Sequence, residues 1–139
     1  MVAMADIRTD ESEDQTRRTE QQEDARGFAV AAARIACENK ATDVRVLDLR
    51  GLSNLADFFV LGTGTSSRQM HAVLDHILVF ARSVGRKHFN ISDSTDVSWL
   101  LADYVDVVVH LFDEQRRAYY DLDGLWGDAP EVTWRSADE

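Results

Sequence analysis

The chain has 139 residues, one domain's worth, with 25 acidic against 15 basic residues and a formal net charge of −10. Wrapping nucleic acid needs clustered Lys and Arg, so this balance disfavours a nucleic-acid binder and favours a basic or small partner. A single cysteine excludes an intrachain disulfide, no run approaches the ~18 apolar residues of a membrane span, and no basic-then-apolar leader opens the chain, so a reducing, cytoplasmic setting is expected.

Residues 1–26 hold eight acidic and four basic residues and almost nothing apolar after Ile7. Such a stretch buries too little to offset its ordering entropy and reads as a disordered acidic arm. Phe28, Ala31, Ala32, Ile35 and Ala36 then recur at helical spacing, with Cys37 read as a small core residue of that helix. Residues 43–49 and 57–62 read as strands, the second a continuous apolar run suited to burial on both faces. Gly62 and Gly64 give a tight turn, and Ser66 with Gln69 three residues on fits a capping box. The helix that follows carries the stripe Met70, Val73, Leu74, Ile77, Leu78 and Ala81, with Gly85 as its stop.

A short strand near 88–91 and a polar loop at 92–96 precede two strands, 98–103 and 105–112. The latter is rich in β-branched residues and is expected at the sheet centre. Helical turns across 113–126 and a loop complete an α/β sandwich with a mixed sheet.

Chemistry finds little support. The stretch from Gly62 to Ser66 before a helix fits a phosphate cradle, but it lacks the Gly-Lys-Ser/Thr ending of a nucleotide-binding loop and the third Gly of a dinucleotide fingerprint. Asp121 and Asp123 lie far from it in sequence, so a two-metal nucleotidyl-transfer site is not assembled. His71 and His76 are five apart and do not share a helical face; His110 lies in an apolar strand and reads as a hydrogen-bonded structural histidine. No metal, cofactor or catalytic residue is assigned. Trp99, Tyr104, Tyr119, Tyr120, Trp126 and Trp134, with Asp103, Asp106, Arg116 and Arg117 nearby, form instead the kind of set that protein interfaces use as anchors.

Three blocks carry a family resemblance: ADFFVLGTGTSSRQ at 56–69, WLLADYVDVVVHLF at 99–112 and RAYYDLDGLWGDA at 117–129. In that order they resemble the Iojap family, the ribosomal silencing factors, over residues 27–130, which leaves 131–139 as a tail. The resemblance implies a mixed five-stranded sheet flanked by helices, nucleotidyltransferase-like without the catalytic carboxylates. It implies a non-enzymatic repressor of translation that binds large-subunit ribosomal protein fourteen, blocks subunit joining when nutrients are limiting, and forms a homodimer. The contact positions it carries over are Trp99, Ala102, Asp103, Tyr104, Arg117 and Tyr120, with Arg68 and Gln69 as structural supports. The alternative is a nucleotide-binding or nucleotidyl-transfer enzyme using Gly62–Ser66. Two positions depart from the family pattern. Val105 stands where members usually have Gly after Asp-Tyr, so the turn either lacks a positive φ or is reshaped. Asn90-Ile91-Ser92 stands where an acidic residue and glycine commonly precede the Trp strand.

Overall fold

The computed structural model describes residues 2–92 and 98–135, with side chains placed from Ser12 onward. Helix α1 runs Val2–Glu38, β1 Thr42–Asp48, β2 Phe58–Thr63, α2 Ser67–Ser83 and β3 Asn90–Ser92. Strands β4 (Trp99–Asp103) and β5 (Val107–Phe112) follow, then the short helices α3 (Glu114–Tyr120) and α4 (Leu122–Leu125), and β6 (Glu131–Val132). Most of the polar loop expected at 92–96 lies outside the described residues.

The stretch expected to be disordered is helical and continuous with α1. Its Glu, Gln, Arg and Ala are helix formers, and Asp14 with Arg17 adds an i, i+3 pair. From Ser12 to Asp24 it lies almost wholly in solvent, and burial begins at Ala25. The buried stripe is Ala25, Phe28, Ala29, Ala32, Ala33 and Ala36. Cys37 is exposed, which corrects its reading as a core residue: one step of about 100° turns it away from the face that Ala36 buries.

Helix α2 matches its sequence signals. The Ser66 hydroxyl accepts from the Gln69 amide at 3.1 Å, and the Gln69 side chain accepts from the Thr65 amide at 3.0 Å. Gly85 ends the helix at φ +78°, with the Gly85 and Arg86 amides returning to the Arg82 and Ala81 carbonyls. The helical turns expected across 113–126 are two helices, broken at Asp121 with φ +48°, whose carboxylate accepts from the Gly124 amide.

The strands form one sheet in the order β3-β4-β5-β2-β1-β6. Strands β2 and β5 are parallel and the other pairs antiparallel. The mixed α/β class is as expected, but the sheet has six strands rather than five. The extra one is β6, in the segment read as a tail: Glu131 and Val132 pair with Leu47 and Val46. Trp134 beyond it is buried, its indole donating to the Val44 carbonyl at 3.0 Å. Strand β5 is buried along its whole length, in keeping with its expected central place.

Helices α1 and α2 cover one face of the sheet, over Val46, Val60, Leu100, Ala102, Val107, Val109 and Leu111. The opposite face carries Leu47, Phe59, Leu61, Val108 and Phe112, with Trp99, Leu101, Leu122 and Trp126 only partly buried against them. A side chain's face follows from the two-residue period of a strand, and that alternation divides the expected site.

The hairpin joining β4 to β5 turns on Val105 at φ +75°. The Asp106 amide donates to the Tyr104 carbonyl at 3.0 Å, closing a three-residue γ-turn of positive φ, the strained variety. The turn therefore keeps the glycine-favouring geometry although valine occupies it. Three bonds hold it: the Val105 amide to Asp103 Oδ1 at 2.7 Å, the Tyr104 amide to the Val107 carbonyl at 2.8 Å, and Arg86 Nη1 to Asp106 Oδ1 at 2.8 Å.

Candidate protein-docking face

On β4 the residues Trp99, Leu101 and Asp103 share one face, while Leu100 and Ala102 point under the helices. The Trp99 ring lies 4.6 Å from Tyr120 of α3 and 5.5 Å from Phe112 of β5. Its Nε1 donates to His110 Nδ1 at 3.2 Å. Tyr120 is 43% exposed, and Tyr119, 80% exposed, packs against it edge to face at 5.1 Å. Trp99, Leu101, Tyr120, Arg116, Asn90 and Ser92 line an open groove of about 530 Å³. Arg116 reaches across it, its Nε donating to the Ser98 hydroxyl at 2.8 Å. The result is a half-exposed aromatic pair on an apolar sheet face beside a guanidinium, the composition of a protein interface core.

The six positions carried over by resemblance do not form one surface. Trp99 and Tyr120 come together and are accessible. Asp103 is half-buried and spends one carboxylate oxygen on the Val105 amide. Ala102 is fully buried under the helices, and Tyr104 lies edge to face on Phe28 at 4.9 Å. The Tyr104 hydroxyl is buried without a hydrogen-bond partner, and burial pushes its pKa up. These two residues shape the sheet from behind.

Arg117 is only 6% exposed and is spent internally. Its Nη1 donates to the Asp43 carbonyl at 2.6 Å and to Thr63 Oγ1 at 2.9 Å, and its Nε and Nη2 grip Asp123 at 3.1 and 2.9 Å. Burial alone would raise the Asp123 carboxyl, but hydrogen bonds and charge from Arg117 and Arg45 outweigh it and hold the group below the usual carboxylate range. Arg117 thereby ties α3 to the amino end of β1 and the carboxyl end of β2 and fixes where Tyr120 stands.

Leu101 and His110 belong to this face and were missed by sequence reasoning. The signal for both was strand alternation: Leu101 is two residues from Trp99, and His110 lies between Val108 and Phe112 on β5.

Two amides of the Gly62–Ser66 turn are spent within the fold. The Gly64 amide donates to the Phe112 carbonyl at 2.9 Å, and the Thr65 amide is taken by Gln69. A Cβ on Gly64 would sit 2.1 Å from Met70 Cγ, so this glycine is required by close packing. Gly62 is less confined: a Cβ there would meet Leu111 Cδ2 at 3.1 Å. Gln69 also donates to the Asn39 carbonyl at 3.0 Å, tying α2 to the end of α1. Asp121 and Asp123 are engaged as a helix cap and an arginine partner. Among the described residues no group of three or more His, Cys, Asp or Glu side chains is placed to hold a metal ion, and no helix is long and apolar enough to cross a membrane.

Residues 10–139 match the family described as ribosomal silencing factor during starvation. The chain belongs to that family. It is 40% identical over 102 residues to the ribosomal silencing factor of Bacillus subtilis, covering 73% of this chain and 85% of the relative. It is 39% identical over 95 residues to that of Halalkalibacterium halodurans, covering 68% and 81%. The chloroplastic Iojap protein of Zea mays is 41% identical over 108 residues, covering 76% of this chain and 46% of the plant protein. The two bacterial relatives carry the names of silencing factors, not enzymes, in agreement with the non-enzymatic reading. Among solved structures, a crystal structure from Bacillus halodurans superposes with a TM-score of 0.65 at 32% identity, covering 80% of this chain and 98% of the other. One from Chromobacterium violaceum gives 0.66 at 27% identity, covering 83% and 92%.

Proposed function

We propose that this chain silences translation by occlusion: it docks through the Trp99–Tyr120 face onto large-subunit ribosomal protein fourteen and blocks joining of the large and small subunits when nutrients are limiting. The observation that carries this reading is the half-exposed Trp99–Tyr120 pair on an apolar sheet face, in a chain of a ribosomal silencing family. Aromatic anchors supply affinity, and the net charge of −10 steers the protein toward a basic ribosomal protein while disfavouring the surrounding RNA. Arg117, Ala102 and Tyr104 serve by holding the face in shape. The protein works in the cytoplasm and forms a homodimer.

Co-sedimentation with purified large and small subunits tests this directly. The chain is expected to travel with the large subunit and to raise free subunits at the expense of joined ribosomes in a sucrose gradient. Trp99→Ala and Tyr120→Ala are each expected to weaken binding to isolated ribosomal protein fourteen by about 2 kcal/mol. Unchanged binding in both folded variants would reject the site, and an unaltered gradient would reject silencing. Light scattering at micromolar concentration checks the dimer; monomer alone would refute it.

A further inference from the structure

His110 is an expensive residue where it stands. Its same-face neighbours on β5 are Val108 and Phe112, and it is 5% exposed. Because Nδ1 accepts from the Trp99 indole, the single proton of the neutral ring sits on Nε2. Nε2 is buried without a hydrogen-bond partner. An apolar side chain would avoid that orphaned donor, but it could not accept a bond from an indole.

We propose that His110 is a positioning residue for docking, its neutral imidazole fixing the Trp99 ring in place before the partner arrives. This rests on the reading of Trp99 as an anchor. Phe112 and Tyr120 also touch the Trp99 ring, but tilted ring contacts tolerate sliding, whereas the N–H···N bond is directional. An anchor already in its bound orientation loses less conformational freedom on association. The rings around His110 are Phe59 from β2, Trp99 from β4 and Phe112 from its own strand, none of them titratable. Burial pushes the imidazole down to about 4, so the acceptor is present throughout the neutral range.

The test uses the full chain labelled with ¹⁵N at tryptophan, the Trp99 indole signal being assigned through Trp99→Phe. His110→Phe removes the acceptor, and His110→Asn places a carboxamide oxygen near the position of Nδ1. The Phe variant is expected to lose exchange protection at the Trp99 indole while keeping it at Trp134, whose bond to Val44 reports an intact fold. Its stability should equal or exceed the parent's, a result that a merely structural histidine would not give. Its affinity for large subunits should fall about tenfold, the worth of one anchoring hydrogen bond, and the Asn variant should recover most of both properties. In the parent, the Trp99 indole signal should shift with a midpoint near pH 4 as His110 is protonated. Should the Phe variant lose the Trp134 signal, His110→Leu takes its place. Retained Trp99 protection in the apolar variant overturns the proposal. So does unchanged affinity in an apolar variant whose indole is released, while the parent binds. A parent that fails to co-sediment overturns the docking reading itself, and the indole spectra, which need no ribosome, separate the two failures.

Discussion

Replacing Val105 by glycine should stabilise the protein. The turn residue sits at φ +75° with a β-branched side chain, a conformation that costs about 2–3 kcal/mol relative to a residue that adopts it freely. Against that relief stand two losses. Glycine leaves a more flexible unfolded chain, about 0.7 kcal/mol. Val105 is 60% exposed, so removing its buried fraction forfeits about 0.7 kcal/mol of apolar burial. The net expectation is a gain of about 1 kcal/mol, read as an increase of about 4 °C in Tm or about 0.5 M in the urea midpoint. The measurement is urea unfolding of the parent, Val105→Gly and Val105→Ala. Alanine keeps the Cβ at positive φ and should gain much less than glycine. A lower midpoint for Val105→Gly would refute the reasoning, because it would mean that the valine's contacts outweigh the strain of the turn.

Arg117→Ala should cost about 3 kcal/mol in urea unfolding, since it leaves Asp123, the Asp43 carbonyl and the Thr63 hydroxyl without their shared partner. Tyr104→Phe removes a buried hydroxyl that has no hydrogen-bond partner, and should leave stability unchanged or raised by up to about 1 kcal/mol, with large-subunit binding intact in a pull-down. Stability should fall on acidification in two stages. The folded state holds His110 neutral down to about pH 4 while the unfolded chain protonates it near 6.5, so about 3 kcal/mol is lost as pH falls from 6.5 to 4. Asp48, lowered first by its hydrogen bond from Arg50, and Asp123 both titrate below their unfolded values. What they contribute is complete above about pH 4 and is lost as pH falls further through their folded values. Urea midpoints at pH 7, 5, 4 and 3 check the order, and His110→Phe should flatten the first stage alone.

Whatever depends on neighbours along the chain was readable from residue order alone. The α2 stripe, its Ser66 cap and its Gly85 stop follow from helical period and local hydrogen bonds, and all appear in the structure. The apolar run of β2 announced a strand buried on both faces, and the β-branched run of β5 announced a central one. The aromatic character of the proposed docking face was also legible, because Trp99 and Tyr120 sit in distinctive blocks. Which of the surrounding residues share that face was only half read: alternation along β4 separates Trp99 from Ala102, and applied to β5 it would have brought in His110.

The rest depends on contacts between residues that are distant in sequence. Two residues such as Glu131 and Val132 become a strand only when β1 offers its edge. Arg117 reads as a surface arginine until the fold brings Asp43 and Thr63 beside Asp123 to bury it. Val105 accepts a positive φ because the β4–β5 pairing on one side and Arg86 on the other over-determine the turn. Local propensities are worth tenths of a kcal/mol per residue, whereas burial and pairing are worth several times that. Where the two disagree, the long-range contacts decide.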